Sequence, residues 1–233
     1  MNGFAYFVGG VLPYIAVLTF VAGMAYRLKV WFGTPQPGKM TLFPAGDSTA
    51  KGVLAETFLF PSLFRGDKFL WAASWIFHAT LALVAVGHLR VITGLGDRML
   101  MGMGMSSEGI GSMSGTLGGA AGVVLLVTGI LLLVRRLGMQ RVREISGTPD
   151  FFALLLIIAI IVTGNLMRFG EHFDLEQTRV WAVSLLSFSP QVPVHGTFVP
   201  HALLGLLLLM YIPYSKILHF GGIFFTQALV KRR

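Results

Sequence analysis

From Met1 to Tyr26 the chain carries no charged side chain, and further apolar runs follow it, each bounded by arginine or lysine. A hydrocarbon layer of ~30 Å takes roughly 20 helical residues to cross, so runs of this kind fit a bilayer. They also leave a soluble fold without an exterior: 12% of the residues are charged, about half the usual share. The expected fold is an all-α membrane protein, a single domain over residues 1–233. It is a bundle of five transmembrane helices at about 3–27, 69–92, 116–135, 151–168 and 198–220.

The connections divide by charge. Arg27, Lys29, Lys39, Lys51, Arg65 and Lys68 follow the first run, Arg135, Arg136, Arg141 and Arg143 the third, and Lys231, Arg232 and Arg233 the last. The remaining two connections hold Arg98, Arg168 and Arg179 beside acidic residues. Basic loops stay in the cytoplasm, which predicts the N-terminus outside and the C-terminus cytoplasmic, in a multi-pass protein of the cell inner (cytoplasmic) membrane. The net charge of +8 is then a topology signal facing membrane lipid, and no nucleic acid is expected as partner. The first run is too long for a signal-peptide core and lacks a basic start, so it reads as a retained helix.

Between the runs, Val53–Phe64 is apolar but broken by Pro61, which suggests an interfacial segment. Residues 97–115 (DRMLMGMGMSSEGIGSMSG) lack periodicity and read as a loop. Its methionines 99, 101, 103 and 105 suit contact with membrane or partner better than copper binding. Gly118–Gly122 (GGAAG) suits close helix packing. Pro190, Pro193 and Pro200 make 189–200 a poor helix.

Ionisable side chains inside a bilayer are costly and face the bundle interior for a purpose. Four of the six histidines lie in two of the runs: His78 and His88 in the second, His201 and His219 in the fifth. His172 and His195 fall in loops. Ten residues separate the first two, ~15 Å of helix, and eighteen the second two, ~27 Å. With the two helices antiparallel, His78 and His219 share the cytoplasmic depth, while His88 and His201 share the outer one. Two His–His pairs at two depths are what two bis-histidine hemes require. The mismatch in length must be absorbed by tilt and by a kink at Pro213. Gly87 and Gly205 leave room beside the rings for a flat macrocycle. Arg90 and Lys216, close to His88 and His219, are candidate propionate partners. Cysteine is absent, which excludes disulfides, protein-ligated iron–sulfur clusters and covalent heme attachment within this chain.

The segment FRGDKFLWAASWIFHATLALVAVGHLR, the two histidine spacings and the five runs resemble the gamma subunit of respiratory nitrate reductase. The wider family takes in the membrane cytochromes of sulfite-reduction-associated and heterodisulfide reductase complexes. The resemblance implies two heme b groups, with His88 and His201 as iron ligands of the outer heme and His78 and His219 of the inner one. It also implies menaquinone or a related membrane quinone as substrate and a cytoplasmic iron–sulfur partner subunit. No lysine occurs between Lys68 and Lys216, so Arg98 and Glu108 are the expected quinone contacts after the second run. The function implied is a diheme b-type cytochrome subunit passing electrons between menaquinol and that partner.

Two other classes compete. A histidine-lined transporter would place acidic residues and paired, interrupted helices at mid-membrane, and the runs contain no Asp or Glu. A heme-free membrane anchor would be colourless and indifferent to histidine substitution. No residue offers itself as a catalytic group for making or breaking bonds, so enzyme activity belongs at most to a complex.

Overall fold

The computed structural model describes residues 3–34, 50–170, 174–193, 196–219 and 221–222. The described residues form ten helices and no strand. The first, α1 (Gly3–Gly33), contains a π-helical turn at Phe7–Val11. Two short helices, α2 (Ala50–Phe58) and α3 (Pro61–Gly66), precede α4 (Lys68–Ile92). Then come α5 (Leu95–Gly102), α6 (Ser107–Gly138), α7 (Gln140–Glu144) and α8 (Thr148–Phe169). α9 (Leu175–Leu186) and α10 (Phe198–Tyr211) complete the series.

Four of these, α1, α4, α6 and α8, are long and apolar enough to cross a membrane. Of the expected fifth span, 198–220, only the first 14 residues are α-helix. That is ~21 Å at 1.5 Å per residue. Pro213 has no N–H to continue the ladder, and the chain tightens into a 3-10 turn at Ile212–Tyr214. It goes extended at Ser215 and makes a second 3-10 turn at Lys216–Leu218. α1 receives the break. Pro213 is buried against Gly23, where an added Cβ would lie 2.7 Å from the proline ring, and Arg27 Nε donates to the freed carbonyl of Pro213 at 2.7 Å.

A second proline shapes the other end of α1. Pro13 cannot donate to the carbonyl of Gly9, and Trp181 Nε1 of α9 donates to it instead, at 2.7 Å. Gly9 admits Val192 so closely that any Cβ would collide with it. Tyr14 adds a hydrogen bond to the Leu185 carbonyl at 2.8 Å. The connection before Pro190, for which no helix was expected, thus contains one, α9, capped by Asp174, whose carboxylate accepts from the N–H groups of Glu176 and Gln177.

The expected loop 97–115 is also largely helical. Ser106 accepts from Gly109 N and starts α6 nine residues earlier than the apolar run alone suggested, because an N-cap needs no hydrophobic periodicity. Val53–Phe64 resolves into α2 and α3, hinged at Phe60 in the left-handed region (φ 51°) before Pro61. Trp71 and Trp75 of α4 donate to the Leu59 and Phe58 carbonyls at its turn.

The helices pack in an arc: α4 on α6, α6 on α8, α8 on α10, α10 on α1. Phe77, Leu125 and Ile161 form the core of the α4–α6–α8 side, and Met167, Val192 and Phe198 that of the α8–α10 side. The small residues of α6 face α8, as expected. An added Cβ at Gly122 would strike Asn165, whose Nδ2 donates to the Gly122 carbonyl at 3.1 Å. Gly122→Ala should displace that amide and cost about 1 kcal/mol, the worth of one hydrogen bond, read as a lower melting temperature in detergent. An unchanged melt would show that the seam yields freely.

Candidate functional site

The helices that carry the histidines form no packed seam with one another among the described residues: α4 leans on α6 and α9, α10 on α8 and α1. What bridges them is rings. His78 and His219 stand with centroids 5.9 Å apart and planes crossed at 88°. His88 and His201 stand 6.2 Å apart with planes at 20°. These ring neighbours are the ones expected from the sequence, and the chain breaks at Pro213, where a kink was expected. The break at Pro213 and Ser215 replaces the five straight turns and removes the length mismatch. His172 and His195 lie outside the described residues.

Each ring is held by Nδ1. His78 donates to the Ser74 carbonyl at 2.7 Å, His88 to Val84 at 2.7 Å and His219 to Lys216 at 2.9 Å. A carbonyl only accepts, so these three Nδ1 atoms carry the proton. His201 Nδ1 meets Thr163 Oγ1 at 2.9 Å. That hydroxyl also lies 3.0 Å from both the Ala159 and the Ile160 carbonyls, and its oxygen is placed to accept from an Nδ1–H on His201. The His78, His88 and His219 rings therefore keep an Nε2 lone pair, and no hydrogen bond joins the rings of either pair among the described residues.

This donor set fits iron. Metal-bound histidines characteristically donate their second N–H to a backbone or side-chain oxygen. An ion held ~2 Å from a nitrogen on each side, with ring centres ~1 Å further out, separates the centres by ~6 Å. Nothing within 4 Å would meet a Cβ at Gly87 or Gly205, so both leave open space on the histidine helices. Among the described residues no three His, Asp or Glu side chains converge as a metal triad; the histidines come strictly in twos.

The expected polar partners are already engaged with carboxylates. Arg90 clasps Asp97 through Nε (2.7 Å) and Nη2 (3.2 Å). Arg179, which sequence reasoning did not single out, adds Nη2 to the same carboxylate at 2.6 Å and donates Nε to the Arg90 carbonyl at 2.7 Å. The Arg90 hydrogen bond, followed by that of Arg179, holds the Asp97 carboxyl below the usual carboxylate range despite partial burial. Lys216 bridges to Asp150 at 2.9 Å. Beside the Arg90–Asp97–Arg179 cluster lies an open cleft of about 380 Å³, walled also by Arg98, Met101, Ser107 and Ile110. Arg98 is thus on the cleft, while Glu108 is exposed and not on its wall.

At the His78 end, Phe60 packs edge-on against His78 at 5.5 Å, so the α2–α3 turn covers that ring. Asp67 caps α4 by accepting from Leu70 N at 2.9 Å and pairs with Arg135 at the end of α6, also at 2.9 Å.

The Hdr-like menaquinol oxidoreductase cytochrome b-like subunit of Archaeoglobus fulgidus is 31% identical, over 94% of this chain and 77% of the relative. The subunit of the same name from Archaeoglobus profundus is 28% identical, over 92% of this chain and 76% of the relative. Residues 61–231, a stretch that includes all four paired histidines, match the nitrate reductase gamma subunit family, and the chain belongs to that family.

Proposed function

We propose that this chain is a diheme b-type cytochrome of the inner membrane. In this reading it carries electrons between menaquinol and a cytoplasmic iron–sulfur subunit of a respiratory oxidoreductase complex. The observation that carries the proposal is the meeting of four histidine rings two by two, at 5.9 Å and 6.2 Å, across helices that form no packed seam. The relatives' names support the quinol-linked role.

Heme b, when bound, supplies reversible one-electron chemistry at iron. The chain's own residues do the rest. His88 and His201 fix one plane near the outer face, and His78 and His219 fix another ~15 Å along α4, toward the cytoplasm. The Nδ1 hydrogen bonds set the tautomer and raise ligand basicity. His78 and His201 are half-buried between helices, while His88 and His219 are exposed on the protein surface. The cleft beside Arg98 adjoins the His88 end and is the proposed seat of the quinone head group. There the paired Arg90 and Arg179 keep the local potential positive, and protons leave toward the outside. The α2–α3 turn over His78 and the basic end of α6 form the face proposed for the iron–sulfur subunit, with five membrane crossings and the N-terminus outside.

Reduced-minus-oxidised spectra of the purified chain, with pyridine-hemochrome quantification, test this directly. Two b hemes per polypeptide are expected. A colourless preparation under adequate heme supply, with folding verified, would overturn the redox role and leave a membrane anchor.

A further inference from the structure

Three of the four rings are held by a carbonyl of their own segment, which any side chain at that position would supply. His201 alone turns to another helix, α8, where the Thr163 hydroxyl joins the Ile160 carbonyl beside the ring. Thr163 Oγ1 stands 2.9 Å from His201 Nδ1, and the next residue, Gly164, lies under the same ring: a Cβ there would come within 3.2 Å of His201 Cε1 and 3.7 Å of Nδ1. Asn165, next again, ties this part of α8 to the Gly122 carbonyl of α6. α8 therefore presents an acceptor, a flat floor and an anchor in three consecutive residues.

We infer that Thr163 is a positioning residue for the outer redox centre, setting the plane and the electron-donating strength of His201 from a neighbouring helix. The inference rests on the diheme reading. With Nε2 on iron in that reading, Nδ1 carries the proton and the Thr163 hydroxyl oxygen accepts it. It thereby locks the Nδ1–H tautomer and leaves Nε2 for iron. An accepted hydrogen bond makes the imidazole a stronger donor, which favours ferric over ferrous iron. Gly164 limits how far the ring can turn, keeping it near parallel to His88.

The test is a potentiometric titration of the two hemes in the purified full chain, with low-spin ferric EPR recorded beside it. Thr163→Val keeps the shape and removes the acceptor. It should retain two hemes and raise the midpoint of one, by ~59 mV if the lower, tenfold end of outer-shell effects applies to the ferric form. The other midpoint should stay put, and Thr163→Ser should restore the first. Gly164→Ala, which leaves the hydroxyl in place, should alter the EPR signal of the same heme by turning the ring. Unchanged midpoints in Thr163→Val, equal shifts in both hemes, or no rescue by serine would each overturn the role. A wild-type chain without two hemes would instead refute the diheme reading itself, so the two failures are separable.

Discussion

Replacing His88 with Ala is expected to halve the heme content, from two per chain to one, and His219→Ala is expected to do the same at the other end. Each histidine pair would hold one heme, so removing one ring would leave that heme a single protein ligand, while the second pair is ~15 Å away along α4 and is braced by its own contacts. Phe60 and Phe77 flank His78 edge-on, and neither depends on His88. Retention of both hemes at full occupancy in His88→Ala would sink the pairing.

The two variants should also differ in kind. His219→Ala keeps the pair beside the cleft and should still be reduced by a menaquinol analogue in a single turnover. His88→Ala keeps only the far pair and should be reduced slowly or not at all. The ring planes add a spectroscopic label. Crossed imidazoles, as at His78 and His219 (88°), leave the iron orbitals that overlap the rings nearly equal in energy. Near-parallel ones, as at His88 and His201 (20°), split them. The more anisotropic ferric signal should therefore vanish in His219→Ala and survive in His88→Ala.

Much of this was legible from residues alone because lipid simplifies the problem. Apolar length marks the long helices, and a histidine in such a run must have a partner. Which ring met which followed from depth. A kink at Pro213 was legible too; how α1 receives it was not, because that depends on Gly23 and Arg27, contacts about 190 residues away in sequence. α9 was hidden for a related reason. Its tie to the bundle is Trp181 serving a carbonyl orphaned by Pro13, and no periodicity records such a bond. The carboxylate that engages Arg90 was not legible, because it lies beyond the turn at Thr93 and Gly94, seven residues on. Thr163 gave no signal at all, since a threonine bonded to its own helix looks ordinary until a second helix arrives.

The same cluster supplies a stability prediction. Asp97 is the one carboxylate between two guanidiniums, with side-chain exposures of 15% for Asp97, 22% for Arg90 and 25% for Arg179. Asp97→Ala would leave Arg90 and Arg179 facing each other without that counterion, at the junction of α4, α5 and α9. Breaking a fully buried pair costs more, but water reaches this one in part, so about 2 kcal/mol is expected, read as a marked fall in melting temperature in detergent. The sign of the pH dependence follows from the depressed carboxyl. The contribution is whole above the ordinary aspartate range, near pH 4, and is lost as pH falls through the lower folded value. The gap between wild type and Asp97→Ala should therefore be constant from neutrality down to about pH 4 and close below it. Since α9 also holds Gly9 through Trp181, loosening α9 from α4 should reach the outer pair: His88→Ala and Asp97→Ala should lower the same heme, Asp97→Ala only partly. A variant that melts like wild type at pH 7 would show that lipid or water screens the two arginines without help from Asp97.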